Sequence, residues 1–247
     1  KFFAHDAEHT LLNVNEDRTG PFSAGDSSVL YSSPQYLWKK LQANAEFRMV
    51  AADHIHRHFF NGGLLTPDAA RDHFLARKAE IDRAVVGESA RWGDAKRAAP
   101  FTRNVEWVNA INGIVNNFFP RRTAIVLNQL RADGFYPNVA APIFNQHGGN
   151  IPRGFNLTMT ATAGTIYHTR DGSDPRLPGG AVSSTALTYT APLIVNESVH
   201  LKSRLLSGGT WSALNEAAFT IIQTFKELFI TEIMYNPPAL DGVDGDE

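Results

Sequence analysis

Tyr136-Pro137-Asn138-Val139-Ala140-Ala141-Pro142-Ile143-Phe144 divides this 247-residue sequence into two parts with different periodicities. The stretch has two prolines, no charge and no helical repeat. Proline lacks an N–H and pushes the residue before it out of the helical region, so the segment reads as a linker or extended crossover. Before it, apolar residues recur three and four apart; after it, short runs alternate. An α+β protein of two domains is expected: a mainly helical domain over 1–135, a linker over 136–144 and an antiparallel β-sandwich over 145–225. Residues 226–247 read as the start of a further unit.

Working outward towards the N-terminus, Ser33-Pro34 places a capping hydroxyl before a first-turn proline, and Tyr36, Leu37, Leu41 and Phe47 follow as an apolar stripe. Asn61-Gly62-Gly63 should stop the next helix, and Thr66-Pro67-Asp68 should start another that runs to Val86 and ends near Gly87. Further helices are expected over about 104–117 and 124–130. Towards the C-terminus, strands are expected at 156–159, 165–169, 186–189, 198–202 and 218–221. Asp171-Gly172-Ser173-Asp174-Pro175, Gly179-Gly180 and Ser207-Gly208-Gly209 should form the turns between them.

Composition narrows the function classes. Hydrophobic residues make up 43% and charged residues 19%, which is ample for packed interiors, and the formal net charge of −2 gives no reason to expect a nucleic-acid partner. The first 135 residues carry a slight excess of Lys and Arg, and the remainder an excess of Asp and Glu. With no cysteine, disulfides, thiolate nucleophiles and Cys-type zinc sites are excluded. No apolar run reaches the ~20 residues of a membrane span, so membrane insertion is not expected. The opening Lys-Phe-Phe and closing Asp-Gly-Asp-Glu fall in mid-pattern, as in a piece of a longer chain.

Phe2-Phe3-Ala4-His5-Asp6-Ala7-Glu8-His9 resembles the metal-binding strand-loop of CotH-like (spore-coat) kinases. Tyr31-Ser32-Ser33-Pro34, Asn44-Ala45-Glu46-Phe47-Arg48, Phe59-Phe60-Asn61-Gly62-Gly63 and Glu88-Ser89-Ala90-Arg91-Trp92-Gly93-Asp94 resemble that family's helical C-lobe. Ile166-Tyr167-His168-Thr169-Arg170-Asp171-Gly172-Ser173-Asp174-Pro175-Arg176, with Trp211-Ser212, resembles the Ig-like chitobiase C-terminal, or fibronectin-type-III-associated, β-domain. Phe229 to Pro238 resembles the first strand of a bacterial lamin-tail domain. Together these imply a fragment of a secreted or cell-surface multidomain bacterial protein. Its partners would be an upstream kinase N-lobe and a downstream lamin-tail domain of the same parent, with a surface protein or glycan beyond them.

By that resemblance Asp6 takes the place of the family's metal-binding Asp and Glu8 that of its neighbour, so the two would form an ancestral magnesium site. Phosphoryl transfer also needs a nucleotide anchor and a catalytic base, which the resemblance puts upstream of Lys1. The fragment is therefore expected to hold no complete catalytic site and no cofactor, with magnesium and ATP belonging to an intact parent.

Other clusters admit two readings each. His54, His56 and His58 invite a zinc reading, since His54 and His58 share a helix face, but the Glu of a His-Glu-x-x-His helix is missing, which favours imidazoles that pack, cap or face solvent. Glu88-Ser89-Ala90-Arg91-Trp92-Gly93-Asp94 fits a phosphate or metal contact, or a helix end clamped by Arg91 and Asp94 over Trp92; Ser89 sits in no nucleophile elbow. Asp171 to Asp174 fits a calcium loop or an Asx turn. If it is a turn, Gly172 should have positive φ, and Gly172→Val should destabilise the β half while leaving the helical half folded. Tyr167, Tyr189 and Trp211 could form a carbohydrate-stacking face, as in an accessory sugar-binding module, or belong to the core.

Overall fold

Local chemistry sets the helices. A computed structural model of the chain describes residues 10–19, 34–95, 97–222, 229 and 231. Asp6 and Glu8, the expected magnesium pair, lie outside the described residues, as does most of the stretch likened to a lamin-tail strand. Helix α1 spans Pro34–Leu41 and α2 spans Ala45–Phe59. Asn44 opens α2 by accepting the Phe47 N–H at 3.0 Å, which satisfies one of the free donors of a first turn. Asn61, in the left-handed region at φ 54°, stands just past its end, where the sequence predicts the stop.

Helix α3, Pro67–Trp92, starts as expected but runs through Gly87. A glycine inside a helix costs only about 1 kcal/mol, so Gly87 weakens the helix without ending it. The run then turns at Gly93 and continues through a π-helical turn Arg103–Trp107, α4 (Val108–Gly113), a second π-helical turn Ile114–Phe118 and α5 (Phe119–Ala132). Residues 14–16 are tied to α5, since Arg122 donates to the Val14 and Glu16 carbonyls at 2.7 Å each. No described helix is long and apolar enough to cross a membrane.

Ten strands follow among the described residues: β1 (Ile143–Phe144), β2 (Gly149–Ile151), β3 (Phe155–Leu157), β4 (Met159–Thr160), β5 (Thr165–Thr169), β6 (Leu187–Thr188), β7 (Leu193–Val195), β8 (Val199–Ser207), β9 (Thr210–Trp211) and β10 (Asn215–Ile221). The main sheet has the order β2-β10-β8-β5-β6, with β9 folded back on β8; β1-β4 and β3-β7 form two short ladders. The expectation of purely antiparallel pairing is corrected by β2, which runs parallel to β10. Strands far apart in sequence can pair this way because most of the β region separates them as a crossover. Close approach is possible because Gly148, at φ 71°, has no side chain; a Cβ there would sit 2.7 Å from the Ala218 carbonyl oxygen.

One core lies between the main sheet and the short ladders. Ile151, Ile166, Leu201, Leu205, Ala217 and Phe219 from the sheet meet Phe144, Leu157, Met159 and Val195 from the ladders. A second core joins the helices through Ala52, Leu127, Leu130, Phe135 and Tyr136, and it includes Ala213 from the β region. The segment expected to be a linker is thus partly interior: Tyr136, Ala141, Pro142 and Phe144 are buried, and the Pro142 carbonyl accepts from Asn215 Nδ2 at 2.8 Å. Its lack of charge, read as the mark of a connector, equally suits a chain packed between helices and sheet.

Candidate functional site

Glu46, Met49, Asp53 and Arg57 recur three and four apart on α2, so they share one face. That face meets the side of the main sheet opposite the β core. Strand alternation puts Leu201, Ser203 and Leu205 of β8 towards the core and Lys202 and Arg204 towards α2.

Arg204 is 1% exposed. Its Nη1 and Nη2 donate to the two Asp53 carboxylate oxygens at 2.8 and 2.7 Å, and its Nε and Nη2 donate to the Asp174 oxygens at 2.8 and 2.6 Å. Nη1 also donates to the Ser212 carbonyl at 3.0 Å. All five guanidinium N–H groups are thereby used, in two bidentate pairs. Burial pulls the Arg204 pKa down, and the Asp174 and Asp53 contacts more than reverse it, leaving the group above its ordinary value. For Asp174, burial pushes the carboxyl up and Arg204 outweighs it, so its pKa is lowered.

Two further pairs extend this seam. Arg176 forks onto Glu46 with two 2.7 Å bonds, and the Gly179 N–H adds a third at 2.9 Å, which holds the Glu46 carboxyl at about 2. At the other end Arg57 pairs with Glu216.

Beside Arg57 the seam encloses a pocket of about 170 Å³ lined by His56, Asn61, His147, Leu214, Asn215 and Glu216, among others. Asn215 Oδ1 receives hydrogen bonds from Asn61 Nδ2 at 3.2 Å and pairs with His147 Nε2 at 2.9 Å. His56 is buried, stacked on Phe60, and pairs through Nδ1 with the Tyr136 hydroxyl at 2.8 Å, while its Nε2 has no partner among the described residues. Burial, then the neighbouring His147, pull its pKa from 6.5 to about 4.

Stability should follow that shift. Above pH 6.5 His56 is neutral whether the chain is folded or unfolded; between 6.5 and about 4 only the unfolded chain takes up the proton, so stability falls with pH; below about 4 this group adds no further loss. The full contribution is at most ~3 kcal/mol, and buried His168, shifted the same way by burial, adds to it. Denaturant titrations across this window should show the decline in the natural chain and a flatter one in His56→Gln. An equally steep decline in that variant would remove His56 as the source.

The structure separates the other sequence candidates. His54 is exposed and His56 buried, and among the described residues no three His, Asp or Glu side chains converge where a metal ion could sit. Asp171 Oδ1 accepts the Ser173 N–H at 2.9 Å and Asp174 Oδ1 accepts the Arg176 N–H at 2.9 Å, so both carboxylates make Asx turns, with Gly172 at φ 77° between them. The role of Asp174 as a partner of Arg204 was not anticipated. Tyr167 and Trp211 pack together at 5.6 Å on the α2 side of the sheet, where Trp211 is buried and donates from Nε1 to the Gly180 carbonyl at 2.7 Å. Tyr189 packs against the β core, on the other side. The three rings therefore form no common platform. Arg91 lies 4.9 Å over the Trp92 ring, and α3 is closed by the Gly93 N–H on the Ser89 carbonyl at 3.0 Å, not by an Arg91–Asp94 clamp.

Fold and seam together define an α+β protein whose helical and β regions meet across one ionic interface. No family model matches the chain, and no curated protein matches it either.

Proposed function

We propose that this chain is a non-catalytic portion of a large secreted or cell-surface bacterial protein related to CotH-like kinases. In it, an Ig-like sandwich of the chitobiase C-terminal, fibronectin-type-III-associated kind serves as a spacer held rigidly against the helical domain. The parentage is supported by the motif strings quoted above. The spacer role is supported by one observation, the buried Arg204 gripped by Asp53 of α2 and by Asp174 of the β region. A buried cation with all its donors matched tolerates little displacement, because moving either carboxylate strands a charge away from water. A module fixed in this way transmits position and orientation along a multidomain chain, and an upstream kinase lobe and a downstream lamin-tail domain would be the neighbours it holds apart.

The rigid reading also changes what Gly172→Val should do. Gly172 has positive φ, and a Cβ there would lie 3.0 Å from His200 Nδ1. The substitution should cost about 1–2 kcal/mol. If the seam couples the two regions, amide hydrogen exchange in β8 and β10 and in α2 and α5 should speed up together. Acceleration confined to the strands would mean independent domains on a flexible joint, and the rigid spacer would be wrong. Parentage has its own test: coding sequence preceding Lys1 should specify a kinase-like N-lobe with a nucleotide-anchoring Lys and a catalytic Asp.

A further inference from the structure

Away from the seam, the end of α3 and the turn and helix after it enclose a cleft of about 410 Å³, within the ~300–1,000 Å³ usual for small-ligand sites. Trp92, Phe101 and Trp107 line it, together with Glu88, Ser89 and Thr102. Trp92 is 54% exposed and Phe101 47%. Large rings left this accessible around a concavity are what a stacking ligand requires.

The rings are held in place beforehand. The Phe101 N–H donates to the Gly93 carbonyl at 2.8 Å, and Glu106 accepts from Thr102 N and Oγ1 at 2.7 and 3.1 Å while pairing with Arg97. Lys78 and Arg103 lie 5.2 and 5.6 Å over the Trp107 ring and share Asp82. Arg97 covers Phe101 at 3.9 Å. Two polar groups stay uncommitted: neither the Glu88 carboxylate nor the Ser89 hydroxyl has a partner among the described residues.

We infer that this cleft binds a neutral sugar ring. A pyranose has a flat C–H face that stacks on an indole, and hydroxyls that can donate to Glu88 and exchange hydrogen bonds with Ser89. Other ligand classes fit less well. A cation would be repelled by Arg91, Arg97, Lys78 and Arg103, which lie beside the rings; an anion would face Glu88; a wholly apolar segment would bury the Glu88 charge without a partner. Sugar binding at this cleft is independent of the spacer role.

The full chain would be titrated with glucose, galactose, N-acetylglucosamine and their short β-linked oligosaccharides, followed by tryptophan fluorescence and calorimetry. Saturable binding to at least one is expected, weakened about tenfold by Trp92→Ala and about fivefold by Glu88→Gln. Glu88 is exposed and Trp92 is 54% exposed, so both variants should still fold, Glu88→Gln with an unchanged melting temperature and Trp92→Ala with a small decrease, and that measurement separates lost binding from lost fold. Absence of saturable binding to every probe, or binding unchanged in both variants, overturns the proposal. So does a hydrophobic dye that binds in a Trp92-dependent way when no sugar binds, since the cleft would then be an apolar docking groove.

Discussion

Arg204→Met should lower the free energy of unfolding by about 3–5 kcal/mol, because it removes the cation and leaves Asp53 and Asp174 facing each other where Arg204 was 1% exposed. For a chain of this length that corresponds to a melting temperature lower by roughly 10 °C. Adding Asp53→Leu and Asp174→Leu to Arg204→Met should recover part of the loss, since the uncompensated charges go too. Recovery should be incomplete, because Asp53 also accepts the Leu214 N–H at 2.8 Å and Asp174 the Arg176 N–H at 2.9 Å. Arg204→Lys should remain destabilised, as an ammonium cannot reproduce two bidentate forks. An Arg204→Met chain within about 1 kcal/mol of the natural one would show that the seam contributes no more than a surface ion pair.

Phe219→Ala should cost a similar ~3–5 kcal/mol for a different reason, the cavity left in a packed interior. Phe219 lies on β10 between β8 and β2, fully buried, with the Phe155 ring at 6.3 Å and the Phe144 ring at 6.5 Å. The main sheet and both short ladders meet there, so no single neighbour can move in to fill the space. Ile194, at the centre of β7 but facing outward, provides the contrast: Ile194→Ala should cost about 0.5 kcal/mol or less. Urea midpoints at constant slope would measure both, and equal losses at the two sites would mean the core is not where the alternation of β7 and β10 puts it.

Short-range features of the fold were legible because their causes lie within a few residues. The change from helical to alternating periodicity near Tyr136, the helix stop at Asn61, the first-turn proline of α3, strand β5 and the Asx turn at Asp171 each follow from side-chain shape or from a bond to the chain's own backbone. The extension of α3 through Gly87 was not legible, since local preference there is worth only about 1 kcal/mol and the surrounding helix overrides it.

Of the candidate sites, the letters of Glu88, Ser89 and Trp92 draw notice in the sequence. Only the reversal between Gly93 and Thr102 brings Phe101 and Trp107 across from them. The seam was hidden more completely. Asp53 and Arg204 stand 151 residues apart, and a charged residue in an alternating strand reads as solvent-facing until another layer covers that side. The sequence by itself therefore determined where helices give way to strands and how the turns close. The tertiary structure alone decided that α2 covers the outer side of the sheet, turning an apparent linker into packed interior and an apparent surface arginine into the buried junction between the two regions. The physical reason is that backbone preferences act over a turn or two of chain, whereas burial and charge pairing depend on which distant segments come to lie against each other.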